Sequence, residues 1–291
     1  MAAVVLATAG FDHKIRFWEA SSRVCTRTVR YPDSQVNCLA ISHDKLYLAA
    51  GGNPHVRLFD VANAAASTPV AEFSHASNVS AVGFPHDRSW VFSGSEDGTI
   101  KIWDLRAPPR CQRSYTCDGA NGKPAACTSV ALHPNQGELV SGDESGVVRV
   151  WDLTADKCSL ELKPRDRPDA PAIRSVAVAG DASCLVAATH DANVYCWRPD
   201  NNGGYALEHI IEAAHDDGSD HTYILKCRIS PDAQLLVTTS SDKTAKIWSI
   251  ARGFALEKTL AQHQRWVWDA CFSADSAYRV RRRNRDEACC G

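Results

Sequence analysis

The sequence predicts an all-β protein built from a repeated unit of four short strands. Three observations carry that reading. Six runs of alternating β-formers end in an aromatic residue, at Trp18, Phe59, Trp103, Trp151, Trp197 and Trp248, spaced 41, 44, 48, 46 and 51 residues apart. Six residues before each aromatic stands a short polar side chain: Asp12, Asn53, Asp97, Ser145, Asp191 and Asp242. That type suits a tight turn between two strands. No long stretch keeps the 3.6-residue period of a helix.

The strands follow in order from this grammar. The first repeat opens directly at Val4–Thr8 and runs to Ile15–Trp18, so it holds three strands. Later repeats add a strand upstream. Val79–Phe84, a turn at His86-Asp87 and Trp90–Gly94 precede Ile100–Trp103, and the same order recurs in Cys127–Leu132 before Pro134-Asn135 and in Ile224–Ile229 before Pro231-Asp232. The repeats fall near 1–32, 33–74, 75–120, 121–166, 167–213 and 214–261, with a partial seventh at 262–278. Four antiparallel strands in about 40–45 residues make the blade of a β-propeller. The unit resembles the WD40 repeat, with Trp103-Asp104 and Trp151-Asp152 as its dipeptide. The expected fold is a seven-bladed WD40 β-propeller that lacks most of its last blade.

A polar chain inside the blade can be placed as well. His75, Ser93, Asp97 and Trp103 resemble the hydrogen-bonded chain of that repeat type, and His215, Thr238, Asp242 and Trp248 repeat it. Recurrence from blade to blade marks these histidines as structural, since such a chain satisfies buried donors while a general base needs one reacting group beside it. The pattern is incomplete where Ser145 replaces the turn Asp and Phe59 the Trp.

Composition bounds the function. The 291 residues carry 32 Lys plus Arg against 34 Asp plus Glu, a net charge of −2, so no global basic field attracts nucleic acid or an anionic membrane. The N-terminus has no basic region, and its apolar run is about half the ~20 residues of a membrane span. A cytoplasmic protein is expected. The twelve cysteines lack any C-x-x-C pair and read as reduced, buried thiols, with no metal site implied. No phosphate loop, nucleophile elbow, zinc-binding helix or kinase signature is present, so neither an enzyme nor a cofactor is expected. Asp216-Asp217 and Asp33-Ser34 read as solvated turns between blades.

The seventh repeat opens at Trp266–Phe272, but residues 279–291 read RVRRRNRDEACCG instead of further strands. A lipid anchor beside a polybasic patch does not fit, because Cys289-Cys290 before a lone Gly is not a C-a-a-X motif. Five arginines without interleaved aromatics are a weak nucleic-acid signal. The favoured reading is an aberrant Arg-rich tail from a shifted frame or retained intron. An open propeller exposes unpaired strand edges, so this form is expected to be less stable than one with about 30–40 further residues.

Several strings are more specific than the repeat itself. Thr8–Trp18, Cys25–Val29, Asp33–Asn37, Leu132–Leu139 and Arg265–Trp268, in order between about Val4 and Tyr278, resemble the small G-beta-like subunit family of target of rapamycin kinase complexes, the lethal-with-sec-thirteen-eight family. The resemblance implies a non-catalytic scaffold subunit that binds the kinase catalytic domain, beside its cleft, and stabilises it in growth and nutrient signalling. It also implies docking residues at Gln35, Asn37, Trp266 and Trp268. The residues agree in part: all four lie near the start of a blade's first strand, and Tyr223 has the equivalent place in the sixth repeat. Two tryptophans at i and i+2 point to one side of a strand, and exposed Trp is enriched in binding hot spots. The alternatives are that Trp266 packs under a loop, and that the protein is a WD40 adaptor for another complex, such as a ubiquitin ligase substrate receptor or a ribosome-associated propeller.

Overall fold

A computed structural model describes residues 5–19, 22, 24–63, 66–106, 110–119, 122–164, 170–216, 218, 222–273, 279–283 and 288–290. Val4, Asp217, Tyr278 and 284–287 therefore lie outside the described residues. The chain divides into two compact units, 1–130 and 131–291.

In the first unit, β1 (Val5–Ala9), β2 (Lys14–Glu19) and β3 (Val24–Arg30) form a three-stranded sheet. Next come two four-stranded sheets. One is β4 (Cys38–Ile41), β5 (Tyr47–Gly51), β6 (His55–Asp60) and β7 (Ala71–Ser74); the other is β8 (Val79–Gly83), β9 (Trp90–Ser95), β10 (Thr99–Asp104) and β11 (Arg110–Thr116). The division point falls within β12 (Cys127–Leu132), which begins a sheet with β13 (Glu138–Asp143), β14 (Val148–Asp152) and β15 (Lys157–Leu162).

The second unit continues with β16 (Ile173–Val178), β17 (Leu185–Thr189), β18 (Val194–Pro199) and β19 (Tyr205–Ile211), then β20 (Ile224–Ile229), β21 (Leu235–Ser240), β22 (Ala245–Ser249) and β23 (Ala255–Leu260). A last sheet joins β24 (Val267–Phe272) to β25 (Arg279–Arg283) and β26 (Ala288–Cys290). All paired strands are antiparallel neighbours in sequence, the meander expected of propeller blades.

Five sheets therefore have four strands, and the first and last have three. The expected blade count needs correction at its end. Residues 279–283 pair with β24, Phe272 against Arg279 and Val267 against Arg283, and 288–290 pair with 280–282. The tail read as lying outside the blade pattern thus supplies two strands of it.

Burial follows the strand period. The third strand β10 alternates half-buried and buried residues before closing on Trp103, while outer strands such as β3 and β11 face solvent along most of their length. In the four-stranded sheets the second strands are buried along nearly their whole length, and β17 throughout. Within each unit first strands of successive sheets pack together, β4 against β8, β16 against β20 and β20 against β24. Glycine at the end of a second strand permits that approach. A Cβ on Gly142 would lie 2.3 Å from Ile173 Cγ2, and one on Gly51 would lie 2.6 Å from Val79 Cγ1.

Turn chemistry matches the sequence reading. The residue after the turn Asp or Ser has positive φ in five repeats, at His13, Gly98, Gly146, Ala192 and Lys243. The cysteine expectation holds only in part. Ten described cysteines are free thiols, but Cys25, Cys111 and Cys271 are exposed. The reason is register: Cys25 and Cys111 sit on outer strands opposite Trp18 and Trp103. Among the described residues no helix is long and apolar enough to cross a membrane.

Candidate partner-binding site

The blade network forms as expected and supplies rigidity beneath the surface. His75 Nε2 lies 2.7 Å from Ser93 Oγ, which also accepts the Trp103 Nε1–H at 2.8 Å, and His75 Nδ1 faces Asp97 Oδ2 at 3.3 Å and Thr99 Oγ1 at 3.0 Å. His215 repeats this with Thr238 at 2.8 Å and Asp242 at 2.8 Å, and Trp248 Nε1–H donates to Thr238 at 2.9 Å. Desolvation lowers the His75 pKa to about 4, overcoming the attraction of Asp97, and lowers that of His215 in the same way. Both imidazoles are neutral at pH 7. Burial opposes the Asp97 carboxylate, but hydrogen bonds from the Thr99 side chain and from the Ala76 and Thr99 N–H groups outweigh it, so its pKa falls. Where Ser145 stands in the turn, fully buried Asp143 takes over: it accepts from Ser145 and pairs with Arg149, which also holds Glu161 at 2.8 Å.

The aromatic residues singled out in the sixth and seventh repeats come together at the starts of β20 and β24. Tyr223 and Trp266 meet edge to face, with centroids 5.6 Å apart and planes at 77°, and Trp266 lies 5.7 Å from Trp268. Trp266 is 41% exposed, so it does not pack under a loop. A β-bulge rather than plain strand alternation brings the two tryptophans together. Val267 pairs with Arg283 and Asp269 with Arg282, which leaves Trp268 as the extra residue. The backbone of Tyr223 is pinned by β21: Ser240 Oγ donates to its carbonyl at 2.9 Å, and its N–H donates to Ser241 Oγ at 3.1 Å.

Two members of this cluster were not picked out from sequence. His190, in the β17–β18 turn, stacks on Tyr223 with centroids 4.7 Å and planes 21° apart. Arg174 places its guanidinium carbon 5.8 Å from the centre of the same ring. Arg174 is the bulge residue of β16, the position that Trp268 holds in β24, so superposing the repeats would have found it. Partial burial and the charge of Arg174 both lower the His190 pKa. Beside the rings opens a cleft of about 760 Å³ whose lining includes Pro171, Asp191, Asp216 and Thr222.

Gln35 and Asn37 belong to the first unit and are described within it. Gln35 is half-buried; Asn37 is exposed, and its amide donates to Val79 O at 3.2 Å, tying the start of β4 to β8. The solvated-turn reading is corrected at Ser34, while Asp33 remains exposed. Ser34 is buried and accepts the Asn53 N–H at 2.8 Å, while Asp33 pairs with Arg57 at 2.8 Å.

Comparison with known proteins bears on the whole chain. The WD domain, G-beta repeat family matches residues 23–60, 67–104, 110–152 and 214–249. The chain is 52% identical over 264 residues to "Target of rapamycin complex subunit LST8-1" of Arabidopsis thaliana, covering 90% of this chain and 82% of that one. The chain belongs to the LST8 family of WD40-repeat β-propellers. A yeast LST8 from Saccharomyces cerevisiae is 44% identical over the same shares, and the Arabidopsis thaliana protein named "Non-functional target of rapamycin complex subunit LST8-2" is 46% identical over 94% of this chain and 83% of its own. The LST8 resemblance drawn from five short strings thus extends across most of the chain.

Proposed function

We propose that this protein is a non-catalytic scaffold subunit of a target of rapamycin complex, acting in the cytoplasm, which binds the kinase catalytic domain and stabilises it. Its family supports that assignment, because relatives covering most of the chain are named as subunits of such complexes. The observation that carries the docking reading is Trp266, 41% exposed and braced by Tyr223 and Trp268. A large ring held in place against solvent loses little entropy on binding, which is why tryptophan dominates interface hot spots. Gln35 and Asn37 would add a separate polar contact from the first unit.

Family membership alone does not decide assembly, since one relative of similar identity is named non-functional. The test is therefore made on this chain. Co-purification with the kinase catalytic domain should weaken on the order of 30-fold in Trp266→Ala, about 2 kcal/mol. Equal recovery of kinase by the variant removes Trp266 from the interface.

A further inference from the structure

Resting on that docking reading, we propose that the cleft beside Tyr223 and Trp266 receives a cationic side chain, lysine or arginine, from the bound partner protein. Shape comes first. At about 760 Å³ the cleft admits one or more side chains, and it is walled by the rings of Tyr223 and Trp266. Aromatic faces carry a negative quadrupole that attracts cations, tryptophan most strongly. The Tyr223 ring already takes the Arg174 guanidinium within the chain, at 5.8 Å.

Charge narrows the occupant further. Among the described residues, Asp191 and Asp216 line the cleft and the Arg174 guanidinium lies beside Tyr223, so these three fixed charges leave one negative charge in excess. His190 does not cancel it, because partial burial and Arg174 keep its imidazole neutral at pH 7. Asp191 is held in place by Thr189 Oγ1 at 2.5 Å and Asn193 Nδ2 at 2.8 Å, and Asp216 by the Gly218 N–H at 2.7 Å. An aliphatic occupant would strip water from both carboxylates and give nothing back, and an acidic one would be repelled. A cation offers the carboxylates a partner and the rings a charge.

The experiment separates charge from shape. Saturation-transfer NMR on the full chain compares choline with its neutral isostere, 3,3-dimethylbutan-1-ol. Choline should bind about five-fold tighter or more, and the preference should fall below two-fold in Asp191→Asn/Asp216→Asn. Should the double variant fail to fold, Asp216→Asn alone is expected to halve the preference or better. Equal binding of the two probes, or a choline preference untouched by the carboxylate changes, overturns the cationic site. That result leaves the docking reading standing if Trp266→Ala still loses the kinase. A choline preference combined with full kinase capture by Trp266→Ala does the reverse, sustaining the cationic site while removing the docking face.

Discussion

Tyr31 and His75 occupy matching places in adjacent repeats, each 28 residues ahead of the aromatic that closes its third strand, Phe59 in one and Trp103 in the other. In the sheet β8–β11, His75 joins Ser93, Asp97 and Thr99, and Trp103 donates to Ser93. In β4–β7 every member changes together. The Phe59 side chain has no N–H to donate, and Ala50, paired with Arg57 as Ser93 is paired with Lys101, has no hydroxyl to accept one. The Tyr31 hydroxyl instead donates to His55 O at 2.7 Å, and the Arg57 guanidinium lies 4.7 Å above the tyrosine ring while pairing with Asp33 and Glu72. The backbone changes too. All five strands that end in Trp show a register shift just before it, whereas β6 pairs with β7 without one. Replacing donor and acceptor together is nearly neutral, while losing one strands the other. What the blade requires is a satisfied polar set, and at least two residue sets provide it.

The largest expected effect tests whether Trp103 anchors its sheet as this comparison implies. Trp103 is buried and stacked on Phe73 at 4.8 Å. Trp103→Ala removes both the ring and the hydrogen bond to Ser93, and should cost about 3–5 kcal/mol in urea unfolding. A loss under about 1 kcal/mol would mean that the sheet repacks freely and the network is ornamental.

Next in size is a pH effect confined to the histidine version of the network. The His75 imidazole stays neutral in the folded protein down to about pH 4, while in the unfolded chain it takes a proton near the ordinary histidine value of 6.5. Between those values the unfolded state binds more protons, so stability is full above pH 6.5 and falls as pH drops toward 4. The His75 share is roughly 3 kcal/mol across that window. His215 acts in the same direction in the second unit. Urea midpoints taken from pH 7 to 4.5 should decline less steeply in His75→Gln, and identical slopes would refute the assignment.

Much of this architecture was legible in the sequence because repetition exposes it. A period of forty-odd residues, the turn Asp and the closing aromatic place the strands of five sheets, and the spacing of His75 to Trp103 and of His215 to Trp248 fixes their networks. Three kinds of feature escaped. Bulges add one residue without a sequence marker, so Arg174 beside Tyr223 and the true setting of Trp268 emerge only from register. Compensations across a sheet, such as Asp143 replacing the turn carboxylate for Arg149, join positions on different strands that no local pattern links. The strands at 279–283 and 288–290 were missed because neither stretch repeats the β-branched and aromatic pattern of the other blades; pairing with β24 places the first and pairing with β25 the second.

The two network versions can also be exchanged at one position. Ser93→Ala leaves the Trp103 N–H and the His75 Nε2 without their shared partner, and should cost about 2 kcal/mol. Ala50→Ser should cost a similar ~2 kcal/mol for the opposite reason, since a hydroxyl at this fully buried site packs with Phe59, whose ring offers it no donor. Adding Phe59→Trp to Ala50→Ser should recover part of the loss. If instead Ala50→Ser is neutral, the two sheets differ by packing and not by polar accounting.

The smallest expected effect separates tryptophans that hold the fold from the one proposed to bind. Trp248 is buried, and its N–H is bonded to Thr238. Trp266 is 41% exposed and touches other rings. Trp266→Ala should therefore change unfolding free energy by no more than about 0.5 kcal/mol, the range of surface substitutions. The same variant is expected to lose kinase association on the order of 30-fold. A stability loss as large as that of Trp103→Ala would move Trp266 into the structural class, and any loss of binding would then report unfolding. A small stability change with a large binding change assigns the exposed ring to the interface, because only there does its removal expose surface that a partner had covered.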